Sequence, residues 1–461
     1  MMKCELSAVL NYSQICDIIV KKGGMHVKTK AKSQPKFKQI TVMFLMTLFQ
    51  MLSASCVIFR EEEINLKLIY IFLGYIAVEW VYMTIGTTAT GSDYFELEAI
   101  AFFLSGIGLT VCASFSESYA IKQLAAIGIG LVIYLIMLAL LKDYNIACAL
   151  RYPAAICSLG VLALNLILAK TVNGTFNWID LGFFSIQPSE LVKIAFILVG
   201  SVSLEKLISS VSLTKYIVFS MACVGFLFLI KDFGTALIFF FTFVLIAFMR
   251  SGDIRTIIII CAAALMGAVL IIYFKPYVAN RFAAYRHVWD FMDTTGYQQT
   301  RVLIYSACGG FFGLGIGEGF LRNVYAASTD LVFGLICEEW GLIIGIAVLL
   351  SFAGIAFFAI RAARASGSTF YMIAAVAAAG MLLFQLSLNV FGITDLLPLT
   401  GVTLPFVSRG GSSMLCSWGL LAYIRAAGAH FTPPPAVDPK SIKVGKSKKN
   451  TAAPKKRGGA A

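Results

Sequence analysis

Apolar stretches about twenty residues long recur along the chain, separated by short polar punctuation. They fall at residues 40–59, 64–84, 95–115, 121–141, 149–169, 186–205, 213–230, 233–249, 255–274, 327–360, 369–391 and 408–427. Each is long enough to cross about 30 Å of hydrocarbon as a helix, which satisfies its own backbone hydrogen bonds there. The pattern predicts an all-α polytopic membrane protein with twelve crossings. Three longer polar segments interrupt it, at residues 170–186, 275–326 and 392–406. The segment at 275–326 is the longest, and it runs through STDLVFGLICEEWG into an apolar stretch. Chemistry is expected there.

Composition agrees with the pattern: 59% of residues are hydrophobic and 13% charged, against roughly a quarter charged in soluble domains. Charge then orients the spans. Lys21, Lys22, Lys28, Lys30, Lys32, Lys36 and Lys38 lie in a segment, residues 1–39, that places the amino terminus on the cytoplasmic side. Counting through the spans puts Lys142, Arg151, Lys206, Arg250, Arg255, Arg361 and Arg364 on that side, and the three long polar segments outside. Residues 1–20 lack the basic start and small-residue cleavage site of a secretory leader. Residues 429–461 carry eight basic side chains from Lys440 to Arg457 and read as a disordered cytoplasmic tail near anionic lipid. The formal charge of +13 is thus mostly topology, and nucleic-acid binding is not implied. Eleven cysteines without C-x-x-C and three separated histidines suit packing rather than a disulfide framework or metal cluster.

Ionisable groups inside apolar spans cost roughly 3 kcal/mol each, so they normally face a cavity or a partner. In IQPSELVKIAF, Glu190 and Lys193 stand three apart on one helical face, which suits a structural ion pair and a substrate cavity equally. In KDFGTALIFF, Asp232 either caps a helix or faces a site. In STDLVFGLICEEWG, Asp330 sits at a loop-to-helix junction, where an aspartate beside threonine is ordinarily an N-cap. Glu338 and Glu339 lie two turns deeper, about 100° apart around a helix, so at most one of them faces a cavity shared with Asp330. In GVTLPFVSRGGSS, Arg409 can pair with a buried glutamate or a phosphate, the protein partner being the expected one.

NGTFNWIDLGFFSIQPSELVKIA, KDFGTALI, the YVANRF to GYQ loop, GGFFGLGIG, ASTDLVFGLICEEWG and GVTLPFVSRGGSS follow one another in an order that resembles the SEDS family of shape, elongation, division and sporulation proteins. The resemblance covers residues 95–428. It implies a SEDS-type bundle of about ten core transmembrane helices, with residues 40–84 as an additional helix pair. It also implies a peptidoglycan glycosyltransferase of the bacterial cytoplasmic membrane that polymerises lipid II into glycan strands at the outer face. The implied partner is a class B penicillin-binding protein transpeptidase.

By the same resemblance Asp330 matches the catalytic aspartate, the base for the attacking sugar hydroxyl. Lys193, Arg281 and Arg286 are candidates for the departing diphosphate, with a divalent cation, Mg or Mn, as a further candidate. Glu190, Asp232, Gln298 and Glu339 complete the substrate-binding set. Phe176, Arg301, Asp395 and Arg409 depart from the family pattern. Two other functions use the same features: a lipid II flippase, or a scaffold that recruits a transpeptidase.

Overall fold

The computed structural model describes residues 36–60, 64–86, 95–168, 170–172, 175–180, 185–205, 210–251 and 284–429, with helical positions at 255, 258, 261 and 262 between them. Residues 1–35 of the expected basic segment at 1–39, most of the span at 255–274, Arg281 and the tail from 430 lie outside the described residues.

The chain opens with a helical hairpin, α1 (Lys36–Ile58) and α2 (Leu66–Val81), whose second helix continues as one wider turn, Tyr82–Gly86. Asn65 starts α2 by accepting the Lys67 and Leu68 N–H groups, two donors that a helix cannot satisfy from within. Next come α3 (Glu96–Phe115), α4 (Glu117–Leu141) and α5 (Tyr144–Leu168). Ser116 ends α3 and caps α4 by accepting the Tyr119 N–H. Where a polar outer segment is expected at 170–186, three short antiparallel strands form: β1 (Lys170–Val172), β2 (Thr175–Asp180) and β3 (Ser185–Ile186), in that order. Ile179 faces Ile186 across the second pairing.

Pro188 then opens α6 (Pro188–Glu205), a position where its missing N–H costs nothing. The bundle continues with α7 (Ser210–Leu229) and α8 (Phe233–Ser251). Beyond the loop come α9 (Tyr297–Gly309), α10 (Val332–Glu339), α11 (Gly341–Ala365), α12 (Thr369–Ile393) and α13 (Gly411–Gly428).

Eight described helices are long and apolar enough to cross a membrane, and the chain is a multi-pass membrane protein. α7, whose apolar run Thr214–Leu229 is shorter, is not among these eight, and neither are α6 and α13, because α6 carries Glu190, Lys193 and Glu205 and α13 is rich in Ser and Gly. α6 and α13 are shielded instead: nearly every α13 side chain from Ser412 to Ala427 is buried. α3, α12 and α13 form the centre. Trp418 packs there within 5.0 Å of the Phe102 ring and 5.8 Å of the Tyr134 ring, measured between centroids.

The expected continuous span at 327–360 is corrected. It is broken into α10, too short to cross, and the spanning helix α11, with the break at Trp340–Gly341. Gly341 has φ +81°, a left-handed conformation open to glycine. The break has an electrostatic cause as well. Glu338 and Glu339 precede it, and a continuous helix would have carried both into hydrocarbon.

One polar cluster ties the first hairpin to the bundle, and a second joins the two helices of the hairpin to each other. Glu98 and Arg425 form a buried ion pair at 3.0 Å, and Tyr82 and Tyr134 both donate to the same carboxylate oxygen. Gln50 donates to Glu79 at 2.6 Å, again with both side chains buried. At the other end of α1, Arg60 pairs with Glu318 at 3.0 Å.

Candidate active site

Asp330 lies in a turn whose conformation is held from several sides. Ala326 has φ +66°, and its carbonyl accepts the N–H groups of Thr329, Asp330 and Leu331 at 3.0–3.2 Å. The turn therefore closes one residue before the helix. α10 starts at Val332, its N-cap position is Leu331, and no side chain caps it. The N-cap reading of Asp330 is thereby corrected: the N-cap position falls one residue later, at Leu331.

The loop between α12 and α13 grips this turn. The Ser408 hydroxyl donates to the Thr329 carbonyl, and the Arg409 N–H donates to the Ser328 carbonyl at 2.8 Å. From α12 the Asn389 amide donates to the Asp330 carbonyl and to the Val402 carbonyl, each at 2.7 Å. Gly401 has φ +71°, and a Cβ there would lie 3.4 Å from Asp330 Oδ2. A larger residue there would press on the Asp330 carboxylate.

Thr403 continues the same strip toward the predicted residues of α6. Gln385, one turn before Asn389 on α12, donates to the Thr403 carbonyl at 2.9 Å and accepts from Lys193 Nζ at 2.8 Å. Lys193 also contacts Glu190 Oε1 at 2.6 Å, and both side chains are buried. Asp330 and Lys193 thus attach to α12 one helical turn apart, about 5 Å along its axis. Nearby, the Gln187 amide donates to Asp232 Oδ2 at 2.8 Å, while Asp232 Oδ1 accepts the Thr235 N–H at 3.1 Å. Asp232 therefore caps α8 and holds Gln187 together. Burial raises its pKa, and the Thr235 hydrogen bonds oppose that rise.

Glu339 and Glu338 turn elsewhere. Glu338 accepts the Phe320 and Leu321 N–H groups at 2.6 and 3.0 Å, and Glu339 Oε2 accepts the Gly317 N–H at 2.9 Å. Neither is brought to Asp330 by these contacts; together they hold the GLGIGEG loop in place. Gly313 packs so closely that a Cβ would meet the Glu339 carbonyl at 2.2 Å. Burial lifts the Glu339 pKa to about 7, against the lowering effects of the Gly317 N–H, the Arg322 charge and the Gly319 N–H.

Gln298 and Arg286 lie on the described part of the large loop. The Gln298 amide donates to the Tyr325 carbonyl at 3.0 Å, directly before the Asp330 turn. Arg286 has φ +62°, its N–H donates to Asp395 Oδ1 at 3.1 Å, and its guanidinium is exposed. Asp395, one of the departures from the family pattern, thus anchors the loop to the end of α12.

Three contributors carried little or no sequence signal. Gln385 and Asn389 join the two halves of the site, and their one trace is an i, i+4 pair of amides inside an apolar helix. Arg409 was expected to pair with a carboxylate. Its guanidinium instead lies over the Tyr119 ring, 3.9 Å from the centroid, and among the described residues it makes no ion pair. It is a cation whose backbone is bonded two residues from Asp330.

Among the described residues no three carboxylates, histidines or cysteines converge. These side chains alone do not fit a resident metal.

Fold and site together define a polytopic helical-bundle protein with a carboxylate-bearing turn over a buried polar strip. The sequence profile of the FtsW/RodA/SpoVE family, described as cell cycle protein, matches residues 99–430, and the chain belongs to that family. It is 27% identical over 403 residues to the peptidoglycan glycosyltransferase RodA of Mycobacterium leprae, covering 81% of this chain and 86% of that one. It is 32% identical over 259 residues to the stage V sporulation protein E of Bacillus subtilis, covering 54% and 71%. The fold is similar to that of Thermus thermophilus rod shape determining protein RodA, with TM-score 0.55, 24% identity and coverage of 73% and 96%. It is also similar to a chain from a structure described as coordination of polymerization and crosslinking by a peptidoglycan synthase complex, with TM-score 0.62, 24% identity and coverage of 73% and 97%.

Proposed function

We infer that this chain is a peptidoglycan glycosyltransferase that polymerises lipid II at the outer face of the bacterial cytoplasmic membrane, with Asp330 as general base. One observation carries the reading. Asp330 sits half-buried on a turn pinned by Asn389, Ser408 and Arg409, with its Oδ2 against Gly401, where a Cβ would lie 3.4 Å away. A base must be fixed in place and open to the hydroxyl it serves.

The acceptor sugar hydroxyl attacks the anomeric carbon of the lipid-linked donor. A new C–O bond forms as the bond to the diphosphate oxygen breaks, the diphosphate leaves with the electron pair, and the hydroxyl proton passes to Asp330. A single displacement inverts an α-linked donor to a β-linked glycan without a covalent enzyme intermediate. Positive charge near the leaving diphosphate stabilises the transition state. Arg409 and Arg286 supply it from the described residues, and Arg281 is the third candidate. Lys193 is buried and committed to Glu190 and Gln385. It acts through Gln385 and Thr403 on the loop that carries Gly401, as a positioning residue. Glu190, Asp232 and Gln298 share that role, while Glu339 secures the loop before the turn.

The basic residues Lys142, Arg250, Arg255, Arg361 and Arg364 support placing the opposite end, with Asp330, outside and both termini inside. The hairpin α1–α2 precedes the family match and is an addition to the core bundle. Likeness to a chain of a peptidoglycan synthase complex supports a class B penicillin-binding protein as partner. Reconstitution into vesicles with labelled lipid II tests the reading. Polymer is the expected product; movement of lipid II between leaflets without polymer would assign a flippase, and neither would assign a scaffold.

A further inference from the structure

At the end of the bundle opposite Asp330, α5, α6 and α7 enclose a furrow of about 480 Å³ that the proposed glycosyl transfer does not use. Arg151 and Lys215 both line it. The Arg151 guanidinium lies 4.2 Å and the Lys215 ammonium 5.7 Å from the centroid of the same ring, Tyr152. Two cations that share one ring repel each other, and an anion set between them would relieve that repulsion. Among the described residues neither forms an ion pair with a carboxylate. Arg151 Nε is moreover buried and has no hydrogen-bond partner among those residues, a donor left open.

Away from these two cations the furrow is apolar, lined by Ile156, Leu159, Val199 and Val218. Ile156 and Val218 are 72% and 62% exposed, as suits side chains that face lipid tails. Depth matches as well. Arg151 lies seven residues from the start of α5 at Tyr144 and Lys215 five from the start of α7 at Ser210, about 10 and 8 Å along their axes. That is the level at which a phospholipid's phosphate gives way to its acyl chains. Basic pockets between spanning helices on the positively charged side of a membrane protein recognise anionic lipid head groups.

We propose that this furrow is a binding site for one anionic glycerophospholipid of the inner leaflet. Its phosphate is held between Arg151 and Lys215, and an acyl chain lies along Ile156, Leu159 and Val218. Charge complementarity selects the head group and the apolar furrow selects a lipid over a free anion. Ordinary snorkelling of two basic side chains to the interface would show neither the inward, unpartnered Arg151 Nε nor a concave groove.

The test uses the full chain in detergent micelles, with lipid retention read by native mass spectrometry. Phosphatidylglycerol is titrated against phosphatidylcholine with the same acyl chains, for wild type and for Arg151→Gln combined with Lys215→Gln. Melting without added lipid confirms that the double variant is folded. The expected result is retention of one phosphatidylglycerol at least tenfold tighter than phosphatidylcholine, with that preference lost in the double variant. Millimolar inorganic phosphate should not displace it. Equal retention of both lipids by wild type would overturn the proposal, as would an unchanged preference in the variant or displacement by phosphate alone. Polyprenyl phosphate binding tenfold tighter than phosphatidylglycerol would also overturn it, and reassign the furrow to the carrier lipid.

Discussion

Replacing Asn389 by leucine keeps the volume and shape of the side chain while deleting both hydrogen bonds that it makes across the site. The Asn389 amide bridges the Asp330 and Val402 carbonyls at 2.7 Å each, and the residue is 2% exposed. Water therefore cannot readily replace it. Each carbonyl left without its donor costs about 1–3 kcal/mol, so Asn389→Leu is expected to destabilise the protein by about 2–4 kcal/mol, because the turn relaxes in part. Catalysis should suffer more than stability. The two carbonyls belong to the segments that hold Asp330 and the glycine beside it, and a shift of about 1 Å in a reacting group can cost on the order of a hundredfold in rate. Polymerisation of lipid II by purified protein is expected to fall at least tenfold in kcat with a smaller change in KM, and denaturation in detergent gives the stability term. A variant that is destabilised yet polymerises at the wild-type rate would refute the claim that Asn389 positions Asp330.

The buried ion pair should behave as a unit. Lys193→Met strands Glu190 and is expected to cost about 3–5 kcal/mol, whereas Lys193→Met with Glu190→Gln should recover most of it; a double variant as unstable as the single would remove the pairing argument. Gly401→Ala places a left-handed backbone on a residue that resists it by roughly 1–2 kcal/mol. Its Cβ would sit against the Asp330 carboxylate, so polymer yield should fall further than the melting temperature implies. Glu339 gives a pH signature. Its pKa is raised to about 7 by burial from an ordinary value of 4.5, so the folded state binds more protons than the unfolded one between those values. Stability is then greatest below about pH 4.5, declines by about 3 kcal/mol as pH rises to 7, and is flat above. Melting curves of Glu339→Gln should lack this slope while wild type keeps it.

The spanning helices were legible because hydrocarbon allows few solutions: a stretch near twenty apolar residues must be a helix. The ordered motifs likewise singled out Asp330, Glu190, Lys193 and Asp232, which the fold gathers along one strip from α10 to α8. What escaped was non-local or hidden inside an apolar run. The helix break at Trp340–Gly341 is invisible to hydropathy, since glycine is common in spanning helices, and beside it Glu338 and Glu339, of which at most one was expected to face a cavity, both bind backbone N–H groups of the preceding loop. The N-cap reading of Asp330 failed by one position, because the Ala326 carbonyl draws Thr329, Asp330 and Leu331 into a turn of its own. Arg409 was read by charge alone; the Tyr119 ring that receives it stands on α4, far away in sequence. The strands at 170–186 were missed because membrane topology reads a polar segment only as outside.

The central claim is tested most directly by glycan polymerisation from lipid II, comparing wild type with Asp330→Asn, each with and without the proposed transpeptidase partner. The Asn side chain preserves size and the backbone bonds that Asn389 and Ala326 make to the turn, and it removes the proton acceptor. The account predicts polymer from wild type and at least a hundredfold less from a variant that melts at the same temperature and still binds lipid II. Equal polymer from the two proteins would contradict it and take the role of base away from Asp330.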